Sequence, residues 1–483
     1  VHPANLAAIA VYMVAMIAVG VHFARRQTRK DEYFVGDRKL GSGHIAMSVV
    51  ATDVGGGFSI GLGGLGFIMG LSASWLLFTG LVGAWLSAVI LVPKVKTLGD
   101  RYGWLTFPDF LEHRFDTRTR AVGAVVSAVG YAAFVGAQVL AGAKLSSAAF
   151  GIDMTTAVWV MAVVVVAYTA LGGIQAVVYT DTIQWGVLLG GLSLIALPIT
   201  WVKVGGLDGI IASVPPEHLS LTNISAMELL TWGVTIIPIW FVGMTLYQRI
   251  FACRDVKSAK RAWYMAGLLE YPLMAFLGAT LGMMARILFP DADPEAGLPM
   301  LVREVLPLGA AGIVIAAYFA AIMSTADSCL LASVGNVVGD LYLRHINPQA
   351  SDKRVLVLSR SLTVFIGVAS VSVALLLPMV MDAVLMSYSF LVSGLFVPTL
   401  AGLLWSRTSA TAAFWGILAG GGTAVLLNVF PAADPLGEPI LLALPVSALV
   451  LIVLTIIYPR KGGVVDAPEG NWIPPVSRIE KEA

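Results

Sequence analysis

The chain has 483 residues, of which 58% are hydrophobic and only 12% charged, with a formal net charge of +1. Soluble domains carry about 25% charged residues, so the composition excludes an ordinary soluble protein, and the balanced charge excludes a basic nucleic-acid-binding surface. Two cysteines, Cys253 and Cys329, exclude a disulfide framework, and the six histidines are too scattered for a zinc site.

Apolar runs of about 20 residues, long enough to cross a bilayer, recur along the chain. They predict thirteen helical spans near 4–24, 42–69, 73–93, 121–149, 155–171, 177–202, 227–247, 262–288, 308–337, 355–379, 382–405, 411–430 and 440–458. The expected fold class is therefore an all-α membrane protein with thirteen transmembrane helices. Arg25 and Arg26 follow the first run instead of preceding it. A cleavable signal peptide has the opposite order, so this run reads as a retained helix. With alternating sides assigned from an outer amino terminus, every Lys and Arg except Lys144, Lys203, Arg286 and Arg303 falls on one side. Because Lys and Arg mark the cytoplasmic side, the expected placement is the cell membrane, N-terminus outside and C-terminus cytoplasmic.

Setting aside the first span and the last two leaves ten, divided five and five by the outer connection near 203–226. An odd number in each half inverts the second half relative to the first, as in many secondary transporters. The expected organisation is an extra helix and basic loop over 1–40, a first inverted repeat over 41–205 and a second repeat with its preceding outer loop over 206–406. Two extra helices over 407–460 and a cytoplasmic tail over 461–483 complete it.

The second span, SVVATDVGGGFSIGLGGLGF, carries glycines 55, 56, 57, 61, 63, 64 and 66 beside Asp53. Glycine weakens a helix by about 1 kcal/mol relative to alanine, so a triple glycine at mid-membrane suggests an unwound stretch whose carbonyls could coordinate a cation. Close packing through small residues is the alternative. Asp53 favours a binding site, because acids within a membrane are costly and mark function. The letters G-x-G-x-x-G at Gly61–Gly66 lie inside a span, not after a strand, so they are no dinucleotide fingerprint.

Asp181 begins a later span, either as a helix cap or as part of an ion relay, and Lys144 is expected to snorkel to the outer interface. The seventh span, TWGVTIIPIWFVGMTLY, holds Pro238 between Trp232 and Trp240. It stands first in the second repeat, matching the glycine-broken span of the first, and interrupted spans at corresponding positions point to the binding site. Glu270 lies about two turns into its span, without a role assigned by sequence. In YFAAIMSTADSCLLASVGN, Ala321, Ser324, Thr325 and Ser328 share one helical face, with Asp327 in the same turn. Their oxygens could form part of a cage for a hard ion; membrane hydroxyls also commonly bond their own i−4 carbonyl.

These residues resemble the sodium:solute symporter family, which includes proline, sugar, sialic acid, pantothenate and choline carriers. The likeness rests on ATDVGGG at 51–57, LGGIQAVVYTDTIQ at 171–184, YQRIFACRD at 247–255 and AAIMSTADSCLLASVGNVVGDLY at 320–342. The resemblance implies a leucine-transporter-like core of two five-helix inverted repeats. It implies a sodium site formed by the carbonyls of Ala51, Val54 and Ala321 with the hydroxyls of Ser324 and Thr325. Some members hold a second ion, which here would lie among Asp181, Ser324, Asp327 and Ser328. Substrate-facing positions map to Asp53, Gly57, Phe58, Phe134, Gln138, Trp240 and Tyr388. An acid at the Asp53 position resembles proline carriers, whereas choline carriers have tryptophan there.

The expected function is thus sodium-coupled import of a small organic solute by alternating access, an amino acid or similar zwitterion. A small carboxylate, or proton coupling on the same fold, is the alternative. The expected bound species are Na+, the substrate and the lipid bilayer, with no nucleic acid and no obligate protein partner. No paired catalytic groups point to an enzyme, and no repeated filter loop points to a channel.

Overall fold

The computed structural model describes residues 38–460 except 54 and 170–173, with scattered positions between 3 and 18; at 56–59, 168 and 174–177 it describes the backbone only. The expected first span, apart from those scattered positions, and the tail 461–483 lie outside the described residues.

Apolar sequence leaves the backbone no partner but itself, and among the described residues the fold is helical, with one isolated bridge between Leu40 and Cys253. In chain order the helices are α1 (Ser42–Asp53), α2 (Gly55–Met69), α3 (Trp75–Ile90), α4 (Val92–Tyr102), α5 (Phe107–Arg114), α6 (Thr117–Phe150) and α7 (Met154–Thr169). Then come α8 (Ile174–Gly190), α9 (Leu197–Lys203), α10 (Gly206–Ser213), α11 (Ala226–Val242), α12 (Met244–Ala252), α13 (Val256–Leu268) and α14 (Ala275–Leu288). The last are α15 (Pro294–Val305), α16 (Ala310–Gly335), α17 (Asp352–Leu376), α18 (Val380–Leu404), α19 (Ala410–Val429) and α20 (Ile440–Ile457).

Nine helices among the described residues are long and apolar enough to cross a membrane, or ten if α11 and α12 form one bent span. This is fewer than the thirteen expected. The runs expected near 42–69 and 73–93 meet in a continuous stretch, Ile60–Ile90, through the tight turn Gly70–Ser74, and Met154–Ala167 is apolar but short. Large apolar side chains such as Leu194, Val202 and Leu376 are more than three-quarters exposed, which suits lipid and not water.

Among the described residues three helical spans depart from straight helix. In the first, α1 ends at Asp53 and α2 begins at Gly55, whose φ is +26°. The second bends by 43° between α11 and α12 at Gly243, five residues beyond the proline that marked it in the sequence. The third breaks between α13 and α14, where Tyr271 is extended (φ −129°, ψ 128°) before Pro272. A residue preceding proline is pushed out of the helical region, yet of Pro238 and Pro272 only Pro238 drew attention in the sequence. Against these bent spans stands α16, almost entirely buried, as the central helix of the bundle.

Several buried charges are paired across helices. Arg120 binds Asp340, Glu112 and Asp109, joining α5, α6 and the end of the α16 span. Lys144, expected to snorkel, instead points into protein: it pairs with Glu295 at 2.8 Å, while Glu295 accepts the Val380 and Met381 N–H groups at the start of α18. A buried carboxylate at a helix N-terminus meets both the free N–H groups and the positive end of the dipole.

Candidate ion and substrate site

The break in the first interrupted span lies against α16. Thr325 donates its hydroxyl to the carbonyls of Ala51 (3.0 Å) and Ala321 (3.1 Å), and Ser324 donates to Ala321 at 3.0 Å. Four of the five sodium ligands expected from the sequence therefore converge; the fifth, Val54, lies outside the described residues. Oxygens about 3 Å apart are spaced as in a shell around a hard cation, whose ligand distances run about 2.3–2.6 Å for calcium. The hydroxyls also make the local i−3 and i−4 bonds weighed as their alternative role, so both readings hold for the same atoms.

Gly55 allows this approach. Its φ is +26°, and a Cβ there would stand 2.0 Å from Thr325 Oγ1. Farther along α2 the glycines serve packing: a Cβ at Gly63 would meet Leu298, one at Gly64 would meet Glu295, and one at Gly66 would meet the Ala279 backbone. The glycine run thus allows close approach along its length, to Thr325 of α16 at Gly55 and to α14 and α15 farther on.

One helical turn away lies a fully buried ionic node. Asp181 sits inside α8, which excludes the helix-cap reading. Its Oδ2 accepts the Ser48 hydroxyl at 2.5 Å and the Arg249 guanidinium at 3.2 Å. Arg249 also reaches Ser48, Thr52, Ser328 (3.2 Å) and the Thr245 carbonyl. Asp181, Ser324 and Ser328, assigned to a possible second ion, do come together, with Arg249 standing among them. Asp327 is buried beside Ser328, its Oδ1 without a partner among the described residues. Sequence reading missed Arg249 because it counted the residue as an interfacial cation. The available signal was its place in YQRIFACRD, inside α12, where it is the one charged residue.

On the other side of the break, Asp53 accepts the Tyr388 hydroxyl at 3.2 Å, and the Tyr388 ring stacks on Phe134 with centroids 5.0 Å apart. Gln138 lies one turn beyond Phe134 on α6 and is equally buried. Trp240 is fully buried on α11, its indole N–H without a partner among the described residues. Gly57 belongs to the first turn of α2, and the Phe58 side chain lies outside the described residues. Glu270, at the third break, was left without a role by the sequence. Both its carboxylate oxygens are buried and unpartnered among the described residues.

Residues 33–420 match the sequence profile of the Sodium:solute symporter family. This chain belongs to that family. The symporter is 29% identical over 433 residues to the high-affinity proline transporter of Bacillus subtilis (strain 168), covering 85% of this chain and 89% of that one. It is 26% identical to the sodium/proline symporter of Escherichia coli (strain K12), covering 87% of each. It is 29% identical to the sodium/pantothenate symporter of the same organism, covering 85% and 87%. Its fold is that of a Na+-coupled sialic acid symporter solved substrate-bound and outward-open: TM-score 0.79, 21% identity, 95% of this chain and 99% of that one. A nucleobase-cation-symport-1 family transporter shares the fold more distantly, at TM-score 0.60 and 13% identity, covering 91% and 98%. The symporter is thus a multi-pass membrane transporter and not an enzyme, with Na+ implied as the coupling ion.

Proposed function

We propose that this symporter couples one Na+ to the import of an amino acid or similar zwitterion by alternating access. Its core would be two inverted five-helix repeats, with the N-terminus outside and the C-terminus cytoplasmic. The observation that carries the reading is the hydroxyl of Thr325 held on the carbonyls of Ala51 and Ala321, at a break in one span and the middle of another. A site shared between two elements can open or close with their relative motion, so sodium occupancy can bias the transport cycle. Val54 would complete the shell. Arg249 already neutralises Asp181, which favours one coupled sodium over two. Asp53, Tyr388, Phe134, Gln138, Gly57, Phe58 and Trp240 form the proposed substrate site, with Asp53 as the partner of an ammonium group.

Uptake by purified protein in liposomes tests this. An inward sodium gradient should drive uptake. With a neutral zwitterion each sodium carries one charge, worth about 2.3 kcal/mol per 100 mV, so an inside-negative potential should accelerate transport. Uptake that ignores both sodium and potential would overturn the proposal, and uptake driven by protons alone would replace sodium by H+.

A further inference from the structure

Glu270 is fully buried at the interruption of the α13–α14 span, directly before the extended Tyr271. Neither carboxylate oxygen has a hydrogen-bond partner among the described residues. A carboxylate so placed is costly unless a cation or a donor meets it. The residue is not isolated from the proposed substrate site. Glycine at position 80 of α3 leaves the space beside it: a Cβ there would stand 2.9 Å from Glu270 Oε2 and 3.9 Å from Trp240 Nε1. The unpartnered acid and the unpartnered indole N–H therefore face the same notch.

We propose that Glu270 is a specificity-determining residue of the substrate site, and that with Asp53 it selects a solute bearing a primary or secondary ammonium group. The inference rests on the sodium-coupled reading above and narrows its substrate class. Charge balance supports it. Among the described residues Asp181 is paired with Arg249, whereas no cation meets Glu270, so Glu270 adds a negative charge that the solute's ammonium group can satisfy together with Asp53. Two open carboxylate oxygens ask for N–H donors. A quaternary ammonium has none, and a sugar or a simple carboxylate brings no positive charge. An interrupted helix beside an unpartnered acid repeats the arrangement at Asp53, where a broken span also presents a carboxylate.

Thermal stabilisation of the purified full-length protein, with and without sodium, tests this. The probes are L-proline, L-alanine, ethanolamine and putrescine, against glycine betaine, pyruvate and glucose, which lack an N–H-bearing ammonium. In sodium, the compounds that stabilise the wild type should come from the first set. Glu270→Gln keeps the shape and removes the charge, and should weaken their affinity at least tenfold while leaving stabilisation by sodium alone unchanged. Gly80→Ala, which leaves both acids in place but puts a methyl into the notch, should weaken the same compounds. The proposal is overturned if the strongest ligand comes from the second set, if no ammonium compound stabilises the wild type, or if Glu270→Gln binds within twofold of wild type. Loss of any response to sodium in the wild type would instead strike the sodium-coupled reading.

Discussion

Thr325 donates its hydroxyl to the carbonyl of Ala51, 274 residues earlier in the chain, at 3.0 Å. This bond joins the end of α1 to the central α16, and it is made by atoms proposed to hold sodium. Removing both hydroxyls with Ser324→Ala and Thr325→Val should raise the half-saturating sodium concentration by about 10–100-fold. That range follows from a loss of about 1–3 kcal/mol for unsatisfied buried partners. Uptake measured against sodium concentration in liposomes checks it, with membrane content measured in parallel. An unchanged sodium dependence would remove these residues from the ion site.

Gly55→Ala should be equally damaging without touching a ligand. The new methyl would stand 2.0 Å from Thr325 Oγ1, and the positive φ adds strain for any side chain. The two helices must separate, so sodium-dependent uptake should fall at least tenfold. Gly422→Ala is the control: nothing lies within 4 Å of its Cβ, and alanine suits a helix interior better. Its uptake should match wild type, and its unfolding midpoint should hold or rise.

Much of this arrangement is legible in the sequence because membrane burial leaves strong signals. Apolar length reveals most spans, and hydroxyls at helical spacing in YFAAIMSTADSCLLASVGN place Ser324 and Thr325 on one face. The triple glycine, expected to be unwound, belongs to α2, and only Gly55, at φ +26°, departs from helical geometry. What stays hidden depends on partners distant in sequence. Arg249 reads as a loop cation until α12 turns it inward to Asp181. Lys144 reads as a snorkelling residue until Glu295 is brought to it. Pro272 and Pro238 look alike in sequence, yet the first sits at a break and the second lies inside a helix that bends later, at Gly243. Neighbouring packing, which periodicity does not encode, decides which proline breaks its span.

The Arg249–Asp181 pair should behave as a buried ion pair. Arg249→Met leaves Asp181 with a buried, uncompensated charge, a loss of about 3–5 kcal/mol for such pairs. Asp181→Asn combined with Arg249→Met should recover a large part of that loss, because no charge remains stranded. Unfolding midpoints of the single and double variants in detergent measure it. Wild-type uptake should rise with sodium with a Hill coefficient near one. A coefficient near two would place a second ion among Asp181, Ser324, Asp327 and Ser328 despite Arg249.

Asp53 and Asp327 are both buried acids near the proposed ion, but their surroundings differ. Asp53 stands at the end of α1 and accepts one hydrogen bond from Tyr388, while among the described residues no buried cation pairs with it. Two unit charges about 5 Å apart attract by roughly 3 kcal/mol at an effective dielectric of 20, so the charge on Asp53 can act strongly on sodium, on an ammonium group, or on both. Asp327 lies beside Ser328, whose hydroxyl oxygen accepts the Arg249 guanidinium at 3.2 Å, so a buried cation stands close to it. Replacing Asp327 therefore removes a charge whose field is already compensated, whereas replacing Asp53 removes one that is not. Asp53→Asn should raise the half-saturating concentrations of sodium and of an amine-bearing substrate about tenfold, and Asp327→Asn should stay within about threefold of wild type; both estimates are fractions of that Coulomb limit. Sodium and substrate titrations of uptake decide between them. The reverse ranking would move the ion toward the Asp181–Ser328 cluster and take the ammonium group away from Asp53, leaving a small carboxylate as the better substrate class.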